Sequence, residues 1–302
     1  MGHLTGIGLI LISAASFGAM AIFGKFAYAS GISTHSLLFF RFFISVMVMV
    51  PIALFQKRRF PHGKDLIILV AMGFIGYAGQ SFCFFTALTY LSPALLAILL
   101  YLYPVMVAGL SFFFLKESFT RNKVIALVLA ISGAILVIGL DTDGNRTGVF
   151  FAISAAIIYS LYTIAGARVM SRNDAFTASL VVITSSAFFY FIYNLKAGFF
   201  IPEQGSTWLY IGAIAVISTV VAIYTYFLGM KLTGAVNASM LSTFEPVTTM
   251  VLASIFLGRQ IGWMQMAGTA LIVFSAILVA IRPKAEEAFP EQTESSANGF
   301  ES

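Results

Sequence analysis

The sequence predicts an all-α membrane protein: ten transmembrane helices built as two five-helix repeats, the second inverted relative to the first. Three observations predict it. The 302-residue chain is 60% hydrophobic and 10% charged, whereas a soluble domain carries roughly 25% charged residues. Ten apolar stretches come close to the roughly 20 residues that cross a bilayer. The halves also repeat at a fixed spacing. Pro104 in Ala-Ile-Leu-Leu-Tyr-Leu-Tyr-Pro-Val and Pro246 in Ser-Met-Leu-Ser-Thr-Phe-Glu-Pro-Val lie 142 positions apart (246 − 104). The same shift lays Gly6 on Gly148, Ile22 on Ile164, Gly24 on Gly166, Phe85 on Phe227, Leu99 on Leu241, Phe114 on Phe256 and Ala134 on Ala276. Five spans per copy is an odd number, so the second copy sits upside down.

The first span, 4–29, exceeds the roughly 7–15 residues of a signal-peptide core and has no Lys or Arg before it. It is expected to stay in the mature chain. The others are expected at 33–55, 65–89, 92–115, 122–140, 147–170, 174–195, 206–231, 235–257 and 262–281. Linkers as short as 30–32 and 90–91 force antiparallel neighbours. The repeats are placed at 1–141 and 142–282. Residues 283–302 are polar and acidic without periodicity, and are expected to form a disordered cytoplasmic tail.

Charge sets the orientation. With the N-terminus in the cytoplasm, twelve cations fall inside: Lys57, Arg58, Arg59, Lys64, Lys116, Arg121, Lys123, Arg168, Arg172, Lys231, Arg282 and Lys284. Only Arg146, Lys196 and Arg259 fall outside. The positive-inside rule therefore places both termini in the cytoplasm. The net charge of +5 reflects loops near anionic lipid, not a nucleic-acid partner. Cys83 lies alone in an apolar run and offers neither a disulfide nor a metal cluster.

Charges within spans are costly and tend to face a cavity or a partner. Three qualify: Lys25, Arg41 and Glu245. Glu245 is near mid-membrane, and Pro246 behind it should kink the helix and free the carbonyl of Ser242. Ser242, Glu245 and Thr249 share one helical face. The equivalent kink at Pro104 carries Tyr101 and Tyr103 instead of an acid. Both prolines are candidate gating or kink positions. Arg41 either snorkels outward or lines an outward cavity, Lys25 snorkels, and His35 sits solvated at a helix mouth. A pocket for an organic solute needs apolar and aromatic walls with a few placed polar groups. Tyr77, Gln80, Ser81 and Phe84 in span three, Tyr159 and Tyr162 in span six, Tyr224 and Tyr226 in span eight, and Asn237 in span nine could supply them. Gly18, Gly24, Gly73, Gly76, Gly109, Gly133 and Gly268 are read as close-packing positions. Gly-Phe-Ile-Gly-Tyr-Ala-Gly at 73–79 is no dinucleotide loop, since no strand precedes it. Paired carboxylates, metal-ligand spacings and nucleophile–base pairs are missing at membrane depth.

Ala-Leu-Thr-Tyr-Leu-Ser-Pro-Ala (87–94), Leu-Tyr-Leu-Tyr-Pro-Val (100–105) and Phe-Leu-Lys-Glu (114–117) resemble the EamA-type half-repeat. Gly-Ala-Val-Asn-Ala-Ser (234–239), Phe-Glu-Pro-Val (244–247) and Phe-Leu-Gly-Arg (256–259) resemble its second copy. The resemblance covers roughly residues 4–281 and points to the ten-span branch of the drug/metabolite transporter superfamily. It implies repeats around a central cavity, no enzymatic step, no cofactor, and movement of small organic solutes, often outward. The family's acid after Phe-Leu-Gly is here Arg259, while Glu117 keeps the first-half acid.

The expectation is therefore an exporter of a small organic metabolite in the bacterial inner membrane, working by alternating access. Amino acids, aromatic ones included, come first as substrates, and protons are a candidate coupling ion. Glu245, Ser242, Asn237, Tyr77, Gln80, Tyr101, Tyr159, Tyr162, Tyr224 and Arg41 are the expected substrate-binding residues. A monomer or weak dimer is expected. A multidrug or nucleotide-sugar carrier is the alternative, although nucleotides would want more cavity cations than Arg41 and Lys25. A scaffold would want sizeable soluble loops, and an enzyme a catalytic constellation.

Overall fold

The computed structural model describes residues 2–88, 90–91, 93–116, 120–138, 145–258 and 260–280. They form helices and no β-strand: α1 (His3–Tyr28), α2 (Thr34–Phe55), α3 (Gly63–Ala71), α4 (Ala78–Leu88), α5 (Pro93–Leu100), α6 (Tyr103–Phe114), α7 (Arg121–Ile138), α8 (Arg146–Met170), α9 (Ala175–Ala197), α10 (Gly205–Ala215), α11 (Ala222–Thr233), α12 (Ala235–Leu241), α13 (Glu245–Leu257) and α14 (Trp263–Ala280). A π-helical segment, Met72–Tyr77, joins α3 to α4, and another, Val216–Val221, joins α10 to α11. Among the described residues, eight helical stretches are long and apolar enough to cross a membrane; Tyr103–Phe114 and Trp263–Val279 are shorter apolar helices. Glu117, Arg259 and the tail at 283–302 lie outside the described residues, as does the boundary at 141–142.

Burial is reversed relative to a soluble fold. Large apolar side chains cover the outside, with Phe55 88% exposed and Phe113 and Trp263 each 77%. Only a hydrocarbon surrounding tolerates that much apolar surface. Small hydroxyls turn inward and bind neighbouring backbones. Ser13 donates to the Ala222 carbonyl, Ser45 to Ala215, Ser186 to Gly73 and Ser275 to Ala126. Such bonds tie helices together where water is absent.

The close glycine contacts follow the sequence reading only in part. A Cβ on Gly133 would lie 2.7 Å from the Gly268 carbonyl, and one on Gly268 would lie 2.6 Å from the Gly133 carbonyl, so α7 and α14 meet backbone to backbone. Gly73 abuts the Val182 carbonyl, and Gly76 abuts Tyr162. A Cβ on Gly18 would lie 2.7 Å from the Glu245 carbonyl, so α1 seats closely against the start of α13. Gly24 and Gly109 have open space where a Cβ would stand, so they are not packing positions.

The helix ends sort into two layers. In one, Arg58 pairs with Asp174 at 3.0 Å, Asn173 donates to Asp65, Lys231 to the Asn173 carbonyl and Arg168 to the Phe114 carbonyl. Gly6 near the start of α1 packs on Thr233 in the same layer. In the other, Ser36 bonds Asn194, the Phe200 amide bonds Ser36, and Gly148 near the start of α8 packs on Tyr90 and Leu91.

The proline sites differ from simple kinks. Pro104 and Pro246 each occupy the first turn of a new helix, α6 and α13. Their missing N–H groups cost nothing there. A turn at 101–102 separates α5 from α6, and a 3-10 turn, Ser242–Phe244, separates α12 from α13. The Ser242 carbonyl is not freed, because it accepts the Glu245 amide through that turn.

Candidate functional site

The two helix breaks aim side chains into one cavity of about 70 Å³. Phe17 and Met20 of α1, Arg41 of α2, and Tyr77, Gln80, Ser81, Phe84 and Phe85 of the π segment and α4 line it. Leu100, Tyr101, Tyr103, Tyr159 and Glu245 complete the wall. Six of the expected binding residues therefore meet: Glu245, Arg41, Tyr77, Gln80, Tyr101 and Tyr159. Its volume is below the roughly 300–1,000 Å³ of small-molecule pockets, but it has room for more than one water.

Glu245 stands at the first turn of α13, beside the 3-10 break. It is half-buried, and Tyr101 lines the same cavity. The aromatic wall beside it is continuous. Tyr103 meets Tyr159 edge-on at 4.7 Å, Tyr159 stacks on Tyr162 at 5.8 Å with 11° between planes, and Tyr162 lies 5.8 Å from Tyr77. Offset and edge-on pairs of this kind fix ring positions. Tyr162 thus backs the wall instead of lining the cavity. The Tyr103 hydroxyl donates to the Ser239 carbonyl at 3.2 Å, pinning α6 to α12.

Arg41 is 2% exposed, so it does not snorkel. Its Nε donates to Thr219 Oγ1 at 2.6 Å, and Nη2 donates to the Tyr77 hydroxyl at 2.6 Å and the Ser218 carbonyl at 3.4 Å. Tyr77 ends one π-helical segment, and Ser218 and Thr219 belong to the other. Tyr77 and Thr219 are 142 residues apart (219 − 77), the spacing of the repeat itself.

Other expected residues lie elsewhere. Ser242 is buried and donates to the Ala238 carbonyl; Asn237 donates to that of Thr233. Tyr224 packs edge-on against Phe176, away from the cavity. Thr249 donates to the Gly18 carbonyl and to that of Glu245, so the stripe shared with Glu245 and Ser242 splits. Lys25 is exposed. His35 contacts Ser33 and Tyr193 in a separate groove with Thr34, Phe82, Phe85 and Tyr190. The sequence reading missed Phe17, Met20, Phe85, Leu100 and Tyr103 as lining residues, and missed Thr219. Shifting Tyr77 by the repeat spacing would have found Thr219; the α1 residues carry no comparable signal. No group of three or more His, Cys, Asp or Glu among the described residues could hold a metal.

Comparison with known proteins agrees with this architecture. The chain is 24% identical to the uncharacterized transporter YetK of Bacillus subtilis over 270 residues, covering 84% of this chain and 80% of that one. It is 22% identical to the uncharacterized inner membrane transporter YicL of Salmonella typhimurium over 284 residues, covering 90% and 94%. A crystal structure of a protein 20% identical in sequence superposes with a TM-score of 0.78 over 90% of this chain and 95% of that one, showing the shared fold. The model of the EamA-like transporter family matches twice, at residues 4–139 and 146–281, an offset of 142 (146 − 4). With both halves matched, this multi-pass membrane protein belongs to the EamA-like transporter family, whose members are transporters and not enzymes.

Proposed function

We propose that the protein is a secondary transporter that exports a small organic metabolite, with amino acids, aromatic ones included, as the first substrate class. Ten spans form two inverted repeats, 1–141 and 142–282, which rock around the cavity in alternating access. The membrane is the bacterial inner membrane, with both termini and the 283–302 tail in the cytoplasm. The contrast between the helix ends supports the inversion. α1 starts in the layer of Thr233, whereas α8, its counterpart at the repeat offset, starts in the layer of Tyr90 and Leu91.

One observation carries the reading: a carboxyl group, Glu245, faces a cavity walled by aromatic residues from both halves. Buried ionisable groups at membrane depth mark substrate or proton paths. Glu245 holds a substrate amine when ionised and exchanges a proton during the cycle. Gln80 and the Tyr77, Tyr101 and Tyr159 hydroxyls orient the solute.

The test is efflux of an amino-acid panel from proteoliposomes across several pH values. Glu245→Gln keeps the shape and removes the titratable group. It should reach the membrane folded and lose most efflux, or lose its pH dependence. Wild-type rates with an unchanged pH profile would reduce Glu245 to helix packing and remove the proposal.

A further inference from the structure

Arg41 presents a charge with no charge partner. A guanidinium stays protonated, and isolating it from water without an anion is costly. Among the described residues the ion pair is Arg58–Asp174, and Arg41 has none. Its Nε and Nη2 are held by Thr219 and Tyr77 at 2.6 Å each, and Nη2 also reaches the Ser218 carbonyl at 3.4 Å. Its Nη1 has no protein partner among the described residues, and Arg41 lines the cavity. Glu245 lines the same cavity without forming an ion pair with it. Each half thus supplies one charge, of opposite sign, to one small space. At the repeat offset Arg41 falls on Ile183 and Glu245 on Tyr103, so neither charge is duplicated.

We infer that Arg41 is the specificity-determining residue of this cavity, binding a carboxylate on the substrate through Nη1 while Glu245 faces the substrate's amine. This rests on the transport reading above and deepens it. The two π-helical segments are the positioning device. Each widened turn turns a hydrogen-bonding side chain, Tyr77 or Thr219, toward the guanidinium from an equivalent place in its repeat. π segments recur at functional sites for this reason. They hold the Nε and Nη2 side fixed and leave one nitrogen for the ligand. A solute with an amine but no carboxylate leaves the cation unmatched. A solute with a carboxylate but no amine does the same to the acid.

The experiment compares matched ligands on the purified full-length protein and in proteoliposomes. One set is phenylalanine, phenethylamine and 3-phenylpropionate; the other is leucine, 3-methylbutylamine and 4-methylpentanoate. Ligand-dependent thermal stabilisation reports binding by mass action. The amino acid of at least one set should bind roughly 10- to 150-fold more tightly than its matching amine, the span of one hydrogen bond to a charged group. Arg41→Gln should remove that preference and leave amine binding in place. Thr219→Val keeps the guanidinium but loosens it, and should shrink the preference while the protein still folds. The wild-type ligand series decides the matter even if Arg41→Gln does not fold. Equal binding of amine and amino acid by the wild type, or a preference retained in Arg41→Gln, would overturn the assignment. If amines and amino acids move equally and both depend on Glu245, the transport reading stands and the role of Arg41 falls. If no member of either set binds or moves, both fall.

Discussion

Gly18→Ala and Gly24→Ala form a matched pair on α1, six residues apart, and should act with opposite signs. A Cβ at Gly18 would stand 2.7 Å from the Glu245 carbonyl and 2.9 Å from Thr248 Cβ. The first atom is backbone, so relief requires moving α13 away from α1. Overpacking of this kind costs about 1–3 kcal/mol. The movement also strains the Thr249 hydroxyl bond to the Gly18 carbonyl, 3.0 Å long, and an intramolecular bond is worth about 0.5–1.5 kcal/mol. Replacing a helical glycine by alanine returns about 1 kcal/mol, which leaves Gly18→Ala destabilised by about 0.5–3.5 kcal/mol. Gly24 has nothing within 4 Å of its Cβ position. There the helix gain of up to about 1 kcal/mol stands alone. Thermal unfolding in a single detergent, followed by the loss of monodisperse protein, reads the pair. At about 2–4 °C per kcal/mol for a chain of this order of size, Gly18→Ala should melt several degrees below wild type and Gly24→Ala at or slightly above it. Equal melting of the two variants would refute the claim that α1 seats directly against the Glu245 turn.

The remaining predictions concern topology, packing and the aromatic wall. A cysteine at Gln204 should react with an impermeant thiol reagent added to intact cells, and one at Arg59 should not; labelling at Arg59 would overturn the orientation. Ser186→Ala removes the 2.9 Å bond to the Gly73 carbonyl and should cost only about 0.6 kcal/mol, the mean for bonds between membrane helices, read as a small fall in melting temperature. Gly133→Ala should destabilise far more than Gly109→Ala, because the first meets the Gly268 backbone and the second meets open space. Tyr159→Ala should enlarge the cavity and cost about 3–5 kcal/mol of stability, so efflux at a low temperature should fall far more than in Tyr159→Phe.

Membrane class and helix order were legible because composition and hydropathy depend on single residues and their neighbours. The repeat was legible because a constant offset survives divergence. Glu245 and Arg41 stood out because charge at lipid depth is rare. Local backbone choices were less visible. The breaks beside Pro104 and Pro246 read as kinks, since a proline signal does not tell a kinked helix from a newly started one. The π segments had no sequence signature, yet they decide where Tyr77 and Thr219 point. Ser242 and Asn237 have the composition of pocket residues but spend their hydrogen bonds on carbonyls four residues back. Tyr224 sits on α11, none of whose residues lines the cavity, and packs against Phe176.

Duplication and function pull in different directions in this chain, and the cavity shows how both are met. The repeated features are mechanical: a proline-started helix in each half, and a π segment in each third span bearing a side chain that grips Arg41. The charges are unique, and they have to be. A second acid at residue 103, which lines the same cavity as Glu245, would place like charges in one small space of low dielectric, where their repulsion is strong. Tyr103 supplies a neutral hydroxyl at the position equivalent to Glu245 and spends it on the Ser239 carbonyl, closing the seam between the halves. Tyr103→Glu tests this division. It should fold poorly or lose transport, since the second acid has no cation to match and the seam to α12 is cut. Tyr103→Phe should keep the aromatic wall and lose only that one bond. If Tyr103→Glu folded and transported as well as Tyr103→Phe, the single-acid requirement would be wrong.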